Sequence, residues 1–147
     1  MPGEPQLGSN PVFGIDCTSL QVLDPAGQAS HLIIRSLDAF RIDLTFQFDG
    51  TFAPAILNPV PPLVPPFFRA RIFYSGLGGA PDGTLYDSGS VPTAPAPAPA
   101  SGVITYLRNC PIPVPHLTAG LYTLTAVVEL IGYPATAHLI GPVIQIV

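Results

Sequence analysis

Apolar and polar residues alternate along residues 39–50. The large apolar side chains on one parity are Phe40, Ile42, Leu44, Phe46 and Phe48. Because successive side chains in a strand point to opposite faces of a sheet, this pattern predicts a half-buried strand with one face in the core. A slip of one residue would turn all of these side chains outward, so the pattern also determines the register of the strand.

The rest of the chain contains further short segments with strand-like patterns. The predicted strands are residues 12–23, 31–35, 67–75, 102–108, 117–131 and 143–147. Within the first of them the apolar parity changes between Cys17 and Leu20, which predicts a bulge or a switch between sheets. No segment shows the 3.6-residue period of a helix, so the pattern predicts an all-β sandwich or barrel.

Proline separates these predicted strands. The chain has 20 prolines, which cluster at 59–66, 93–100 and 111–115. Because proline cannot donate a hydrogen bond to a sheet, each cluster predicts a connection or an edge. The alternating Ala-Pro run should be extended, either as a stiff loop or as an arm that lies on a neighbouring subunit. We therefore expect one domain over residues 1–147, with an extended arm at 1–11 and an Ala/Pro-rich loop at 92–101.

One short motif resembles a known architecture. Leu117, Gly120 and Tyr122 form a Leu-x-x-Gly-x-Tyr pattern, which resembles the tyrosine corner of immunoglobulin-like and fibronectin-type sandwiches. The resemblance implies an immunoglobulin-like antiparallel sandwich of about seven or eight strands, in which the tyrosine hydroxyl bonds to upstream backbone. The chain has no tryptophan and departs from the usual inter-sheet disulfide positions. The motif indicates architecture and not function.

The two cysteines, Cys17 and Cys110, enclose a long stretch of chain. A disulfide between them would close a loop of about 100 residues, worth roughly 4–5 kcal/mol in the chain-entropy model. In a reducing compartment both would remain thiols and pack as small apolar groups. Both outcomes are open at this stage. Without a Cys-x-x-Cys pair or nearby histidines, the cysteines do not indicate a zinc site.

Ionisable residues are scarce and scattered. Charged residues make up 10% of the chain, all five basic residues are arginine, and the net charge is −4. Nucleic-acid binding requires clustered basic residues, so it is not expected. No apolar run is long enough for a membrane-spanning helix. The N-terminus lacks signal-peptide features, which predicts a protein of the cytoplasm or of a particle assembled there, with secretion as the alternative. The composition fits a bacterium or its phage.

No residue pattern indicates catalysis. His31, His116 and His138 lie far apart in the sequence, and no nucleophile signature is present. Asp82 and Asp87 are each next to turn residues, which favours turns over a calcium site. We therefore predict no catalytic, metal or cofactor site, and a protein that is not an enzyme.

Apolar residues in the proline-rich connections provide the main functional indication. An isolated domain usually has about 25–35% charged residues on its surface, which this chain cannot supply. Candidate partner contacts are Leu57, Val60, Leu63, Val64, Phe67, Tyr86 and Tyr133, and Ile112, Val114, Leu139 and Ile140 also lie at loop margins. We expect a non-catalytic subunit of a filament, sheath, shell or phage-like particle that contacts other protein chains. The alternative is a carbohydrate- or surface-binding adhesion module that uses exposed tyrosines.

Overall fold

The structure, a computed structural model, describes residues 13–29 and 32–147. In chain order the elements are β1 (Gly14–Leu23), β2 (Ile33–Ile34), β3 (Phe40–Asp49), α1 (Ala53–Leu57), β4 (Phe67–Leu77), β5 (Gly83–Asp87), β6 (Val91–Pro92), β7 (Val103–Ile112), β8 (Gly120–Leu130) and β9 (Ala135–Ile146). The predicted all-β class is confirmed. The arm expected at 1–11 and the side chain of His31 lie outside the described residues.

The strands form two sheets that pack face to face. One sheet has the order β1-β3-β7, and the other has the order β2-β9-β8-β4-β5, with β6 also paired to β4. The ring of Phe46 in β3 contacts the ring of Phe68 in β4, with centroids 5.1 Å apart, so the core lies between the sheets. Among the described residues no helix is long and apolar enough to cross a bilayer.

The central strand β3 follows the predicted alternation. Its large apolar side chains are all buried, and it pairs along its length with β1 and β7. The pairing of β1 shifts between Cys17 and Ser19. This bulge, which the sequence predicted, lets both Cys17 and Val22 face the core although they lie on opposite parities.

Four elements differ from the expectations. The last strand, β9, is much longer than predicted because Gly141 and Pro142 interrupt its alternation in the sequence. A Cβ on Gly141 would lie 3.1 Å from the Leu20 side chain, so the interruption allows close packing against β1. Strands β5 and β6 are not among the predicted strands, because glycine, serine and proline surround them. The helix α1 begins at a proline-containing first turn, a position that tolerates proline, and was not predicted.

The tyrosine of the Leu-x-x-Gly-x-Tyr segment bonds to upstream backbone. Tyr122 is fully buried, and its hydroxyl donates to the backbone oxygen of Thr118 at 2.8 Å. Leu117 is also buried. This hydrogen bond therefore connects the loop before β8 to β8 itself.

Cys17 and Cys110 are separate thiols. Cys17 in β1 is opposite Phe46, whereas Cys110 in β7 is opposite Ile42, so β3 runs between them. Standard strand spacings place their Cα atoms roughly 16 Å apart, and a disulfide needs about 7 Å or less. Both cysteines are free and buried. Burial raises the pKa of Cys17 to about 11 and that of Cys110 to about 12.

Candidate interaction surface

Three loops lie at the same end of the sandwich, because the strands that they follow or precede end or begin there. The loop after β3, the segment around β6 and the turn between β8 and β9 are residues 50–66, 88–102 and 131–134. Backbone pairing joins them, since Phe67 pairs with Pro92 and the N–H of Ile131 donates to Phe67 at 2.8 Å. None of the three loops contains Asp, Glu, Lys, Arg or His. We call these three loops the charge-free end.

Thr93 holds the charge-free end together. Its hydroxyl donates to the backbone oxygen of Leu57 at 2.6 Å, and its N–H donates to that of Pro66 at 3.0 Å. Its own backbone oxygen accepts the hydroxyl of Tyr106 at 2.9 Å. Burial raises the pKa of Tyr106 to about 12, so this hydroxyl stays protonated as a donor. Thr93 is the one buried polar residue in the part of the chain that the structure describes.

The Ala-Pro run is thus anchored to its own chain at its start. Ala96 packs against the core, while Pro95, Pro97 and Pro99 are exposed. The run ends in a tight turn where Ala100 pairs with Val103. These contacts favour the stiff-loop interpretation over an arm that lies on a neighbouring subunit.

An apolar groove of about 350 Å³ crosses the charge-free end. Its lining residues are Phe52, Ala55, Ile56, Pro59, Leu63, Val64 and Tyr133. Leu63 is 69% exposed and Val64 is 78% exposed, while Phe52 is 55% exposed. The hydroxyl of Tyr133 is the only side-chain polar group among the lining residues. A surface of this kind can bury apolar area without removing any charge from water.

The helix α1 decides which side chains reach the groove. It turns Ala53 and Leu57 into the core and leaves Phe52 and Ala55 outside. Leu57 is fully buried, so the expectation that it is available to a partner is wrong. The error arose because a single helical turn leaves too few residues for a period to be recognised. Phe52 was missed, although a large apolar residue just before Ala-Pro is a signal that could have identified it.

Of the other candidate contact residues, some are exposed and others pack in the core. Val60, Leu63, Val64, Phe67 and Tyr133 are exposed at the charge-free end. Ile112 is buried because β7 extends further than predicted. Tyr86 lies in β5, packs against the core and accepts a hydrogen bond from Arg108 Nε at 3.0 Å. The structure therefore does not bring Tyr86 together with Tyr133.

The loops at the opposite end contain ionisable residues. Asp24, Arg35, Asp38, Asp82 and His116 lie there, and we call this region the charged end. A second groove, of about 590 Å³, is lined there by Pro25, Ile33, Ile34, Arg35, Leu37, Asp38, Ala39 and Val114. Leu37 is 86% exposed. Both ends thus present apolar side chains, but only the charged end surrounds them with ionisable groups.

Of the polar residues considered for chemistry, Asp82 and His116 make structural hydrogen bonds and His138 is exposed. Asp82 accepts the N–H of Gly76 at 2.9 Å. His116 Nε2 lies 2.6 Å from the backbone oxygen of Asp38, and its Nδ1 accepts the N–H of Leu117 at 2.7 Å. His138 is exposed in β9. Within residues 13–29 and 32–147, no group of three His, Cys, Asp or Glu side chains is placed to hold a metal ion.

Most arginines are engaged on the outer faces of the sheets. Arg69 donates to both carboxylate oxygens of Asp87, which together with the Gly89 N–H lowers the pKa of Asp87 to about 2. Arg71 pairs with Glu129 at 3.0 Å. Both ion pairs join strand residues, and none of these side chains lines the groove at the charge-free end.

The chain matches no protein-family model and no curated protein.

Proposed function

We propose that the protein is a non-catalytic structural subunit that joins a larger protein assembly through its charge-free end. The observation that supports this is the groove at that end, where exposed apolar side chains project from loops that contain no Asp, Glu, Lys, Arg or His. Burial of apolar surface contributes roughly 25 cal/mol per Å². Because no charge has to be desolvated there, little of that gain is lost.

The order of the loops supports the same proposal. Thr93 and Tyr106 connect the loops by hydrogen bonds, and proline restricts their backbones. A surface that is already ordered loses less conformational entropy on association. We infer that the Pro-rich loops present a preformed contact surface.

The tyrosine corner favours an immunoglobulin-like type of sandwich as the scaffold. The contact between Tyr122 and Thr118 supports this assignment, while a sandwich of this kind does not by itself specify a role. Assemblies that suit such a subunit are a filament, sheath, shell or phage-like particle formed in the cytoplasm.

A substitution at the groove tests the proposal. Val64→Asp places a carboxylate on an exposed side chain of the charge-free end, so we expect the native protein to self-associate or join its assembly and the variant to stay monomeric. Leu107→Asp is the matched control, because Leu107 is 62% exposed on β7 away from these loops. Size-exclusion chromatography with light scattering at high micromolar concentration reports the mass. A native protein that stays monomeric and binds no protein partner would contradict the proposal.

The alternative is an adhesion module that binds carbohydrate or a host surface. Phe52 and Tyr133 place two exposed aromatic rings at the groove, which is the observation in its favour. Sugar sites also need several placed polar groups to bind hydroxyls, and the groove lining offers one. A glycan array would decide: specific binding that Tyr133→Ala removes would support the alternative over assembly.

A further inference from the structure

The strand β7 is an open edge of the three-stranded sheet. It lies last in the order β1-β3-β7 and pairs along its whole length with β3. Among the described residues, no strand pairs with β7 along its other side. The edge formed by β1 differs, because the Leu20 side chain in β1 packs against Gly141 in β9.

Two observations show which backbone groups of β7 point away from β3. The N–H of Val103 donates to the backbone oxygen of Ala100 at 3.1 Å, and the backbone oxygen of Val103 accepts the N–H of Ala100 at 2.8 Å. The backbone of Val103 therefore points away from β3. Pro111 lies at the same parity of the strand, and it has no N–H that β3 could use.

The residues of the same parity between these two positions form a free stretch of edge. They are Thr105, Leu107 and Asn109. Because backbone direction alternates along an antiparallel strand, their N–H and C=O groups also point away from β3. Within residues 13–29 and 32–147 these groups have no hydrogen-bond partner, and all three side chains are exposed and uncharged. Such a row of unpaired backbone groups is a template for pairing with another strand.

Arg108 adds a charge preference to this edge. Its side chain lies on the face of β7 that is turned toward the other sheet, where its Nε donates to the hydroxyl of Tyr86 at 3.0 Å. In the part of the chain that the structure describes, no carboxylate forms an ion pair with Arg108. A residue directly opposite Arg108 on an added strand would have its Cβ roughly 5 Å away. A carboxylate at that position could pair with the guanidinium.

A second copy of β7 would not supply this carboxylate. Residues 103–112 contain no Asp or Glu. Two copies of the strand paired about Arg108 would instead place two guanidinium groups opposite each other, which is unfavourable. The charge of the edge therefore favours an acidic segment of a different sequence.

We propose that β7 is a docking edge for an extended segment of another protein, which adds a strand to the three-stranded sheet and places Asp or Glu opposite Arg108. The backbone hydrogen bonds would provide affinity, and the side chains next to Arg108 and Leu107 would provide selectivity. This inference goes beyond the proposed function, since it does not use the charge-free end.

Selection from a displayed library of short random peptides tests the charge preference. We expect the native protein to enrich peptides that alternate apolar and polar residues and have Asp or Glu at one fixed position. Arg108→Glu should enrich Lys or Arg at that position instead. If the native protein enriches no peptide, or if the enriched peptides have no acidic preference, the proposal is wrong.

Affinities for one enriched peptide, measured by fluorescence anisotropy, test the contact with Arg108 without changing the protein. Replacing the acidic residue of the peptide by its amide should weaken binding to the native protein by about two- to five-fold, the range of exposed ion pairs. The same replacement should not weaken binding to Arg108→Gln. An equal loss with both proteins would show that Arg108 is not the partner of the carboxylate.

A proline substitution tests the backbone pairing. Leu107→Pro removes an N–H that points away from β3, so we expect the variant to fold, as circular dichroism can verify, and to bind the peptide about ten-fold more weakly or worse. Leu107→Thr is the matched control, because it shortens the side chain but keeps the N–H, and it should bind more tightly than Leu107→Pro. Thr105→Pro repeats the test at the same parity if Leu107→Pro does not fold. Equal affinities for the proline and threonine variants would show that the peptide does not pair with this edge.

Val64→Asp separates this inference from the proposed function. Val64 lies at the charge-free end, so Val64→Asp should bind the peptide as the native protein does, whether or not the native protein assembles. A loss of peptide binding in Val64→Asp would place the peptide at the charge-free end and overturn the proposed edge.

Discussion

The two ends of the sandwich are built from the same strands but are ordered in different ways. At the charged end, ionisable side chains stabilise the loops: Asp24 accepts the N–H of Gln28 at 2.8 Å, and Asp82 accepts that of Gly76. At the charge-free end the hydroxyl and the N–H of Thr93 join two loops through backbone oxygens, and Asp87 at the end of β5 accepts the N–H of Gly89 at 2.9 Å at the base of one loop. Prolines further restrict the backbone of these loops, because the ring fixes φ.

This difference determines what each surface can do. A loop held by a carboxylate keeps a charge that any partner must desolvate or pair. A loop held by a buried hydroxyl and by prolines leaves an apolar exterior. The charge-free end is therefore suited to close contact with another protein.

The largest effect should separate the buried and exposed leucines of the charge-free end. Leu57→Ala should lower the free energy of unfolding by about 2–5 kcal/mol, because it opens a cavity beneath the loops. Leu63→Ala at the same end should leave the unfolding free energy of the monomer nearly unchanged, since the side chain is exposed. Chemical denaturation measures both in a monomeric Val64→Asp background. Equal losses would show that Leu63 belongs to the core.

A smaller effect compares the hydroxyl anchors of the two ends. Thr93→Val should lower the free energy of unfolding by about 1–3 kcal/mol, because the backbone oxygen of buried Leu57 loses its hydrogen-bond donor. Tyr122→Phe at the charged end should lower the free energy of unfolding by about 1 kcal/mol. The loss is smaller because Thr118 is exposed, so its backbone oxygen can bind water instead. Thermal and chemical unfolding provide the values. If Tyr122→Phe lowered the free energy of unfolding more than Thr93→Val does, Thr93 would not be the stronger of the two anchors.

The smallest effect concerns pH. The folded-state pKa of Asp87 lies at about 2, below its unfolded value, so its stabilising contribution is present above about pH 4 and is lost as the pH falls toward 2. Solvent exposure keeps that contribution small. Asp87→Asn should therefore reduce the loss of stability between pH 5 and pH 2, measured by urea denaturation. Thr93→Val should not change this pH dependence, because a hydroxyl does not titrate in this range. If it altered the slope of the unfolding free energy against pH, the assignment of that slope to Asp87 would be wrong.

The sequence predicted the strands whose side chains alternate without interruption. For β3 and β8, large apolar residues on one parity leave a single way to bury them, so local pattern and fold agree. The pattern fails for β9, where Gly141 and Pro142 interrupt it, and for α1, which is too short to show a period. In the candidate surface, Val60, Leu63 and Val64 were predicted from their place among prolines, whereas Leu57 was assigned to the wrong side.

The chain by itself determined the strands with uninterrupted alternation, the positions where proline excludes a ladder, and the long stretches that contain no Asp, Glu, Lys, Arg or His. Tertiary structure alone decided that these stretches meet at one end, because strand direction sets the end at which each loop emerges. It also decided that Thr93 is a buried anchor and that Cys17 and Cys110 lie on either side of β3. The reason is physical: periodicity is local, whereas burial depends on contacts between segments far apart in the sequence.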